Sequence, residues 1–162
     1  MGLAWLLEGL HPEGNLITVE KDKILLEVAH SLLKEGNRIE FVNLNAYEWI
    51  EKNKESPFDL VFADTWTGKF TYLEAVLRMV KPNGFYLIDD FNYQAHWPGY
   101  HHEKVLFLIE KLKYHPEFYT FPIDVGTGFD AALQKIETHF SELLTIFSVK
   151  LIKLVSDQNK KS

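Results

Sequence analysis

The sequence predicts an α/β fold, in which a mostly parallel β-sheet carries helices on both faces. Helical and extended patterns alternate along most of the 162 residues, as is typical of sheets built from strand–helix–strand units. Uninterrupted apolar runs such as "LVFA" and "FYLI" indicate strands that are buried on both faces. Two further extended runs flank the glycines of "DVGTG" and predict a C-terminal antiparallel strand pair.

Local patterns place the elements of the first part of the chain. One face of a helix is formed by Ile24, Leu25, Val28, Leu32 and Leu33, and Gly36 is a stop signal after it. Alternation in "RIEFVNL" and the apolar run "FDLVFAD" predict strands. The predicted helices are 3–10, 24–34 and 46–54, and the predicted strands are 15–20, 38–44 and 58–64.

The second part continues the alternation and ends in a long helix. The predicted helices are 72–80 and 103–112, and the predicted strands are 85–89, 118–123 and 129–134, with a turn at Pro82 and Gly84 before the first of these strands. Apolar residues then recur at helical spacing, at Ile136, Phe140, Leu143, Leu144, Phe147, Leu151 and Leu154. We therefore expect an extra C-terminal helix over 137–156, a frayed tail over 157–162, and a single domain over 1–162.

Composition narrows the possible partners. The net charge is −6, which argues against a nucleic-acid-binding surface. The chain has no cysteine, so a disulfide framework and a thiolate metal site are excluded. The first residues lack the pattern of a signal peptide, and their apolar run is too short to span a bilayer. We predict a cytoplasmic protein that binds neither nucleic acid nor membrane.

Acidic residues stand at the ends of three predicted strands. They are Glu20, Asp64 and the pair Asp89 and Asp90. The carboxyl ends of parallel strands share one edge, where ligands of such sheets bind. Carboxylates this close repel one another unless a positive charge lies between them, such as a divalent cation or a sulfonium with its neighbouring ammonium. Each aspartate by itself could instead cap the following helix.

Several stretches together resemble one enzyme family. They are "NLITVEKD", "NLNAYEWI", "FADTWTGKF" and "KPNGFYLIDDF". In order and spacing they are similar to the second strand, the adenine-side segment, the fourth-strand motif and the fifth strand of class I S-adenosylmethionine-dependent methyltransferases, in the O-methyltransferase branch that includes catechol O-methyltransferase. The resemblance implies a Rossmann-like fold, S-adenosylmethionine as cofactor, and methyl transfer to an oxygen of a small acceptor.

The resemblance also implies roles for individual residues. The cofactor-binding residues would be Gly2, Glu20, Asn45, Ala46, Tyr47, Asp64 and Trp66. Lys69 would be the base for the acceptor hydroxyl, and Asp64, Asp89 and Asp90 would bind a divalent cation such as Mg²⁺. Aromatic residues of the loops above this edge suggest a planar acceptor; they are Trp66, Phe91, Tyr93, Trp97 and Tyr100.

The start of the sequence departs from the family pattern. The family's first strand and its Gly-x-Gly-x-Gly loop would precede "GLAWLLEGL", so the first strand is missing and Gly2 aligns with the last glycine of that loop. The missing strand would lie between the second and fourth. We consider three explanations: a lost start of the sequence, a strand supplied by a partner chain, or direct pairing of the second and fourth strands.

Other functions also fit parts of the sequence. An inactive methyltransferase-like domain could act as an oligomeric interaction module, with the C-terminal helix as a contact between copies, for example in a homodimer. That helix could equally pack on its own domain. His96, His101, His102 and Glu103 could form a metal site, although they lie in a predicted loop and helix start. A nicotinamide dehydrogenase uses the same type of sheet, but its glycine fingerprint is absent.

Overall fold

A computed structural model describes residues 2–33, 38–92, 97–123 and 129–135, with the backbone alone for Phe129. Six helices and six strands alternate in this part of the chain. The helices are α1 Gly2–Gly9, α2 Lys23–Leu32, α3 Ala46–Asn53, α4 Trp66–Lys69, α5 Leu73–Arg78 and α6 Gly99–Lys113. The strands are β1 Leu16–Val19, β2 Ile39–Val42, β3 Phe58–Ala63, β4 Val80–Ile88, β5 Phe118–Ile123 and β6 Phe129–Gln134.

The strands form two separate sheets. In the larger sheet the order is β3-β4-β6-β5, where β3 and β4 are parallel and β6 is antiparallel to both of its neighbours. The smaller sheet is the parallel pair β1-β2. The α/β class, the parallel core and the C-terminal antiparallel pair are therefore confirmed. β1 and β3 are the strands that resemble the second and fourth strands of the family. The structure shows no ladder between them, so the explanation by direct pairing of these two strands is wrong for the described residues.

The predicted turn at Pro82 and Gly84 lies inside a longer strand. β4 begins at Val80, which pairs with Phe58, and the register then shifts so that Leu60 pairs with Phe85. The extra residues bulge out of the ladder, and Asn83 takes a left-handed conformation with φ 65°. The helix predicted over 72–80 therefore ends earlier, at Arg78.

The core lies between the larger sheet and the helices that cover it. Tyr86 of β4 and Leu112 of α6 are fully buried, and both belong to one apolar cluster with Leu77 of α5. The hydroxyl of Tyr86 donates a hydrogen bond of 2.6 Å to the carbonyl oxygen of Gly68. This bond satisfies a polar group that would be costly to bury unpaired, and it ties the loop after β3 to the centre of the sheet.

Helix α2 is amphipathic, but its apolar face is not covered by described residues. Leu26 is its buried residue, while Ile24, Leu25, Val28 and Leu32 are exposed. The small sheet beside α2 has two strands and offers little surface to pack against. The sequence pattern thus predicted the helix correctly, although not the environment of its apolar face.

Two further expectations fall on other parts of the chain. The helix predicted over 137–156 and the tail over 157–162 lie outside the described residues, as does the whole "DVGTG" connection. In the ranges that are described, no helix has both the length and the apolar character needed to cross a bilayer.

Candidate functional site

Three carboxylates converge at the carboxyl ends of β3 and β4. Ala63 and Ile88 are paired as the last residues of these strands, so the residues that follow them emerge side by side. Oxygen atoms of Asp64, Asp89 and Asp90 lie within 4.8 Å of one another. Parallel pairing of two strands that each end in an aspartate produces this acidic cluster, as the sequence predicted.

The backbone of the acidic cluster is held in an unusual conformation. Asp90 has φ 67°, in the left-handed region that few non-glycine residues adopt. Its N–H donates a hydrogen bond of 2.6 Å to Oδ1 of Asp89, and the N–H of Asp89 donates to the carbonyl oxygen of Ala63 at 3.2 Å. The chain thus turns sharply at the strand end and directs consecutive carboxylates to the same edge.

Lys69 provides the positive charge beside this cluster. Its side chain is 4% exposed, and its Nζ donates to the carbonyl oxygen of Asp89 at 3.0 Å and contacts Oδ2 of Asp90 at 3.5 Å. The short, kinked helix α4 places it there, because Gly68 takes φ 97°, which a residue with a Cβ rarely adopts. Lys69 is therefore a buried member of the site and not a solvated surface charge.

Both acidic and basic neighbours influence the pKa of the Asp64 carboxyl. Partial burial and the Asp89 carboxylate raise its pKa, and the ammonium of Lys69 partly opposes this shift. A carboxylate in this position is stabilised by any additional positive charge placed against it. The cluster is therefore electrostatically suited to a cationic ligand or a metal ion.

Aromatic rings form a wall next to the cluster. The ring of Trp66 lies 5.0 Å from Phe70, 6.2 Å from Tyr100 and 5.9 Å from His101 between centroids. Lys104 Nζ is 4.7 Å from the centre of the Trp66 ring, within the range of a cation–π contact. Residues of α4 and of the start of α6 thus build one continuous aromatic surface at the carboxyl edge of the sheet.

His101 belongs to this wall and was not predicted to do so. It is buried against Phe70 and Trp97, with ring centroids 5.4 and 4.3 Å away, and its Nδ1 has no hydrogen-bond partner among the described residues. Burial lowers its pKa, and the charge of Lys69 lowers it further. From the sequence, His101 was predicted only as a member of a possible histidine metal site. Of that set, His101, His102 and Glu103 are described, and they do not form a metal-binding group.

Solved structures with the same architecture include proteins named as methyltransferases. Cofactor-bound Rv0187 from MTB matches with a TM-score of 0.71 and 24% identity, over 82% of this chain and 67% of that protein. The SAH-bound Podospora anserina methyltransferase PaMTH1 matches with a TM-score of 0.65 and 17% identity, over 83% and 67% of the two chains. A Staphylococcus aureus protein described as a candidate caffeoyl-CoA O-methyltransferase has a TM-score of 0.61 and 17% identity, over 74% and 64%.

The chain has a class I methyltransferase fold. This conclusion comes from structure alone, since neither a protein-family model nor a curated protein matches the sequence. The chain spans about two thirds of the length of these structural neighbours. The predicted Rossmann-like, O-methyltransferase-like fold is thereby confirmed, and the described residues can be placed in it.

The remaining predicted cofactor residues make local hydrogen bonds and lie outside the acidic cluster. Glu20 follows β1 directly but lies outside the cluster, and its Oε1 accepts a hydrogen bond of 2.8 Å from the N–H of Asp22. Asn45 caps α3 by accepting from the N–H of Tyr47 at 3.3 Å, and Ala46 is the first residue of that helix. These local bonds are compatible with the predicted roles but do not require a cofactor.

Two tyrosines stand together in this part of the methyltransferase fold. The rings of Tyr47 and Tyr72 are stacked, with centroids 6.3 Å apart and planes 30° apart. Both are partly exposed, and Tyr72 takes φ 59° at the start of α5. Tyr72 was not among the predicted site residues, because a single tyrosine in "GKFTYLEA" carries no sequence signal of its own.

Gly2 lies against β3. A Cβ built on Gly2 would come within 3.1 Å of the Phe62 ring. Its lack of a side chain therefore allows close packing of α1 on the strand that leads to Asp64, whatever its role toward a cofactor.

Proposed function

We propose that this protein transfers a methyl group from S-adenosylmethionine to an oxygen of a small, planar acceptor. The observation that carries the proposal is the acidic cluster with the buried Lys69, at the carboxyl ends of parallel strands in a methyltransferase fold. Ligands of open parallel sheets bind beyond these strand ends. The proposal extends to this chain the cofactor of SAH-bound structural neighbours.

The described residues fit the charge and shape of the cofactor. S-adenosylmethionine would supply an electrophilic methyl group on a cationic sulfonium. Asp64 would bind its positively charged methionyl end, because desolvation and the Asp89 carboxylate disfavour its ionised form and an added cation would favour it. Glu20 would accept hydrogen bonds from the ribose, and Asn45, Ala46 and Tyr47 would lie beside the base. The ring of Tyr72, next to Tyr47, extends that surface.

Lys69 and Trp66 would act on the acceptor. In the reaction the acceptor oxygen forms a bond to the methyl carbon while the carbon–sulfur bond breaks, and the electron pair of that bond stays on sulfur. The acceptor hydroxyl loses its proton either to Lys69 in its neutral amine form or to solvent, after Lys69 in the ammonium form that contacts Asp90 has lowered the pKa of that hydroxyl. Trp66 would form the wall that holds a planar acceptor in line, so that alignment supplies much of the catalysis.

A divalent cation such as Mg²⁺ could share the acidic cluster. Three aspartate oxygens within 4.8 Å of one another are ligands that hard cations prefer. Lys69 already lies against Asp90, however, and offsets part of the negative charge without a metal. We expect Mg²⁺ to increase acceptor methylation and to affect cofactor affinity little, which activity assays with and without a chelator would check.

Calorimetric titration with S-adenosylmethionine tests the cofactor site. We expect binding to the wild type, and a loss of affinity of at least about tenfold in Asp64→Asn, because a charge-assisted contact is removed. Asp59→Asn is the matched control: Asp59 lies at the other end of the same strand, exposed and paired with Lys81 at 2.9 Å. Equal affinities of the two variants, or no binding to the folded wild type, would contradict the proposal.

A second candidate function is that of an oligomeric interaction module. The exposed apolar face of α2 favours it, since contiguous exposed apolar surface often marks an interaction site. Two results together would support this candidate. The protein would not bind the cofactor, and its mass measured by light scattering would be a multiple of the mass of one chain. Cofactor binding by a monomer would exclude it.

A further inference from the structure

A groove of about 380 Å³ lies between α6 and the segment that joins α4 to α5. It is lined by Lys69, Phe70, Leu73, Tyr100, Glu103, Lys104, Phe107, Leu108 and Lys111. Leu73 and Leu108 are buried beneath it, whereas Phe107 is 72% exposed at its edge. We call this feature the α6 groove. An aromatic side chain so open to water, beside a preformed groove, indicates a surface that something apolar covers.

The exposed residues along α6 follow a regular spacing. Tyr100, Lys104, Phe107, Lys111 and Tyr114 are separated by four, three, four and three residues, so they lie in one line along the helix. Tyr100 and Tyr114 are exposed like Phe107. This alternating spacing of three and four is the one by which two helices pack side by side.

The described chain leaves the domain at one end of this line. The N–H of Lys135 donates to the carbonyl oxygen of Glu117 at 2.8 Å, and its Nζ donates to that of Pro116 at 2.8 Å. The neighbouring His115 contacts Glu74 at 3.5 Å, and Glu74 in turn pairs with Lys111 at 2.7 Å. The described chain, which ends at Lys135, therefore ends near the Lys111 end of the α6 groove.

The sequence that follows has a matching pattern. Glu137, Phe140, Leu144, Phe147, Leu151 and Leu154 are separated by three, four, three, four and three residues. We propose that residues 136–162 of the same chain occupy the α6 groove as an amphipathic helix antiparallel to α6. The groove shares Lys69, Phe70, Tyr100 and Lys104 with the candidate site. The inference nevertheless requires neither cofactor nor acceptor binding, so it can fail separately from the proposed methyltransferase function.

Length and charge favour this occupant. Tyr100 and Tyr114 are about 21 Å apart along α6, and residues 137–154 as a helix extend about 26 Å. Glu137, at the start of the segment, would lie near Lys111 and would share its ammonium with Glu74, which pairs with Lys111 at 2.7 Å.

Disulfide trapping in the full-length protein tests the placement. The chain has no cysteine, so Phe107→Cys with Leu144→Cys introduces the only two thiols. The matched control is Phe107→Cys with Glu142→Cys, because residue 142 lies on the opposite side of the proposed helix. We expect an intramolecular disulfide at least about fivefold faster in the first pair, since the bond requires close Cα atoms.

The other trapping results would overturn the proposal. Equal rates in the two pairs would mean that the segment has no defined face toward α6. A disulfide between chains, seen as a dimer on a non-reducing gel, would assign the groove to a second copy. Faster trapping of Leu144→Cys by Val28→Cys than by Phe107→Cys would place the segment on α2.

Hydrogen exchange gives a second test without new cysteines. In the wild type we expect protected amides between 137 and 155, with protection reduced at least about tenfold by Phe107→Asp, because a charge in the groove opposes apolar docking. Leu106→Asp is the control, since Leu106 is exposed on the same helix but does not line the groove. Unprotected amides in the wild type, or equal effects of the two variants, would overturn the proposal.

Discussion

The larger sheet and the β1–β2 pair differ in how completely the described chain covers their helices. Helices α5 and α6 pack on the larger sheet, and their inward residues Leu77 and Leu112 are buried. Helix α2 lies beside the β1–β2 pair, and four residues of its apolar face are exposed. Among the described residues before 46, Leu7 and Leu26 are the buried apolar side chains, and neither belongs to the central cluster.

This difference shows that an amphipathic pattern specifies a helix but not its burial. Two strands present a narrow surface, and an isolated strand pair is marginally stable at best. The four strands of the larger sheet provide a wide face against which α5 and α6 remove apolar area from water. We therefore expect most of the measurable stability to come from the larger sheet.

Truncation of one leucine in each region should give the largest contrast. Leu112→Ala removes a fully buried side chain and should lower the free energy of unfolding by about 3 kcal/mol, through lost transfer energy and a residual cavity. Leu32→Ala truncates a side chain that is 75% exposed and should change the free energy of unfolding by less than about 0.5 kcal/mol. Urea denaturation of both variants measures the two changes. Similar losses would show that the face of α2 is covered after all.

A buried carboxyl adds a pH dependence to the larger sheet. Asp130 of β6 is buried, and burial raises its pKa to about 6, although backbone N–H groups of Ala131 and Phe121 donate to it. Between its ordinary pKa and about 6, the unfolded chain ionises first, so the contribution of this group to stability falls as the pH rises through that range and is lost above it.

Asp130→Asn should remove this pH dependence. Relative to the variant, the wild type should lose about 1–2 kcal/mol of stability between pH 5 and pH 8. Urea denaturation of both proteins at these two pH values measures the difference, and comparison with the variant cancels the effect of other titrating groups. A constant difference between the proteins would mean that Asp130 is solvated in the native state.

Loss of a helix cap should have the smallest effect and the most local one. Asp22 Oδ1 accepts from the N–H groups of Ile24 and Leu25 at 2.9 and 3.3 Å, so Asp22→Ala should destabilise the start of α2 by about 1 kcal/mol. Because α2 has little packing, we expect faster hydrogen exchange confined to 23–32. Asn45→Ala, which uncaps the better packed α3, should change exchange over 46–53 less. A larger increase in exchange over 46–53 in Asn45→Ala than over 23–32 in Asp22→Ala would contradict the contrast between the two regions.

Sequence patterns located most elements to within two residues. β3, β5 and β6 match their predicted ranges closely, because a strand with apolar residues and flanking turn signals has few alternatives. The sequence did not predict α4, since its kink depends on the contact of Gly68 with Tyr86. The start of β4 was also missed, because proline and glycine usually signal a turn and here form a bulge that pairing with β3 stabilises.

The acidic cluster could be predicted, and its surroundings could not. Aspartates that directly follow parallel strands must meet at one edge, so covalent order and strand direction are sufficient. The burial of Lys69, the contact of His101 with Phe70 and the burial of Asp130 beside β4 involve residues 20 or more positions away. No local pattern encodes such contacts.

The sequence by itself determined where helices and strands form and which residues end the strands, because backbone preferences and apolar periodicity act over a few neighbouring residues. Only the tertiary structure decided that the strands divide into two sheets, that Lys69 is buried against Asp89 and Asp90, and that the described residues leave apolar side chains of α2 and α6 exposed. Burial and charge pairing depend on what packs against a residue, and that is set by the arrangement of the whole chain.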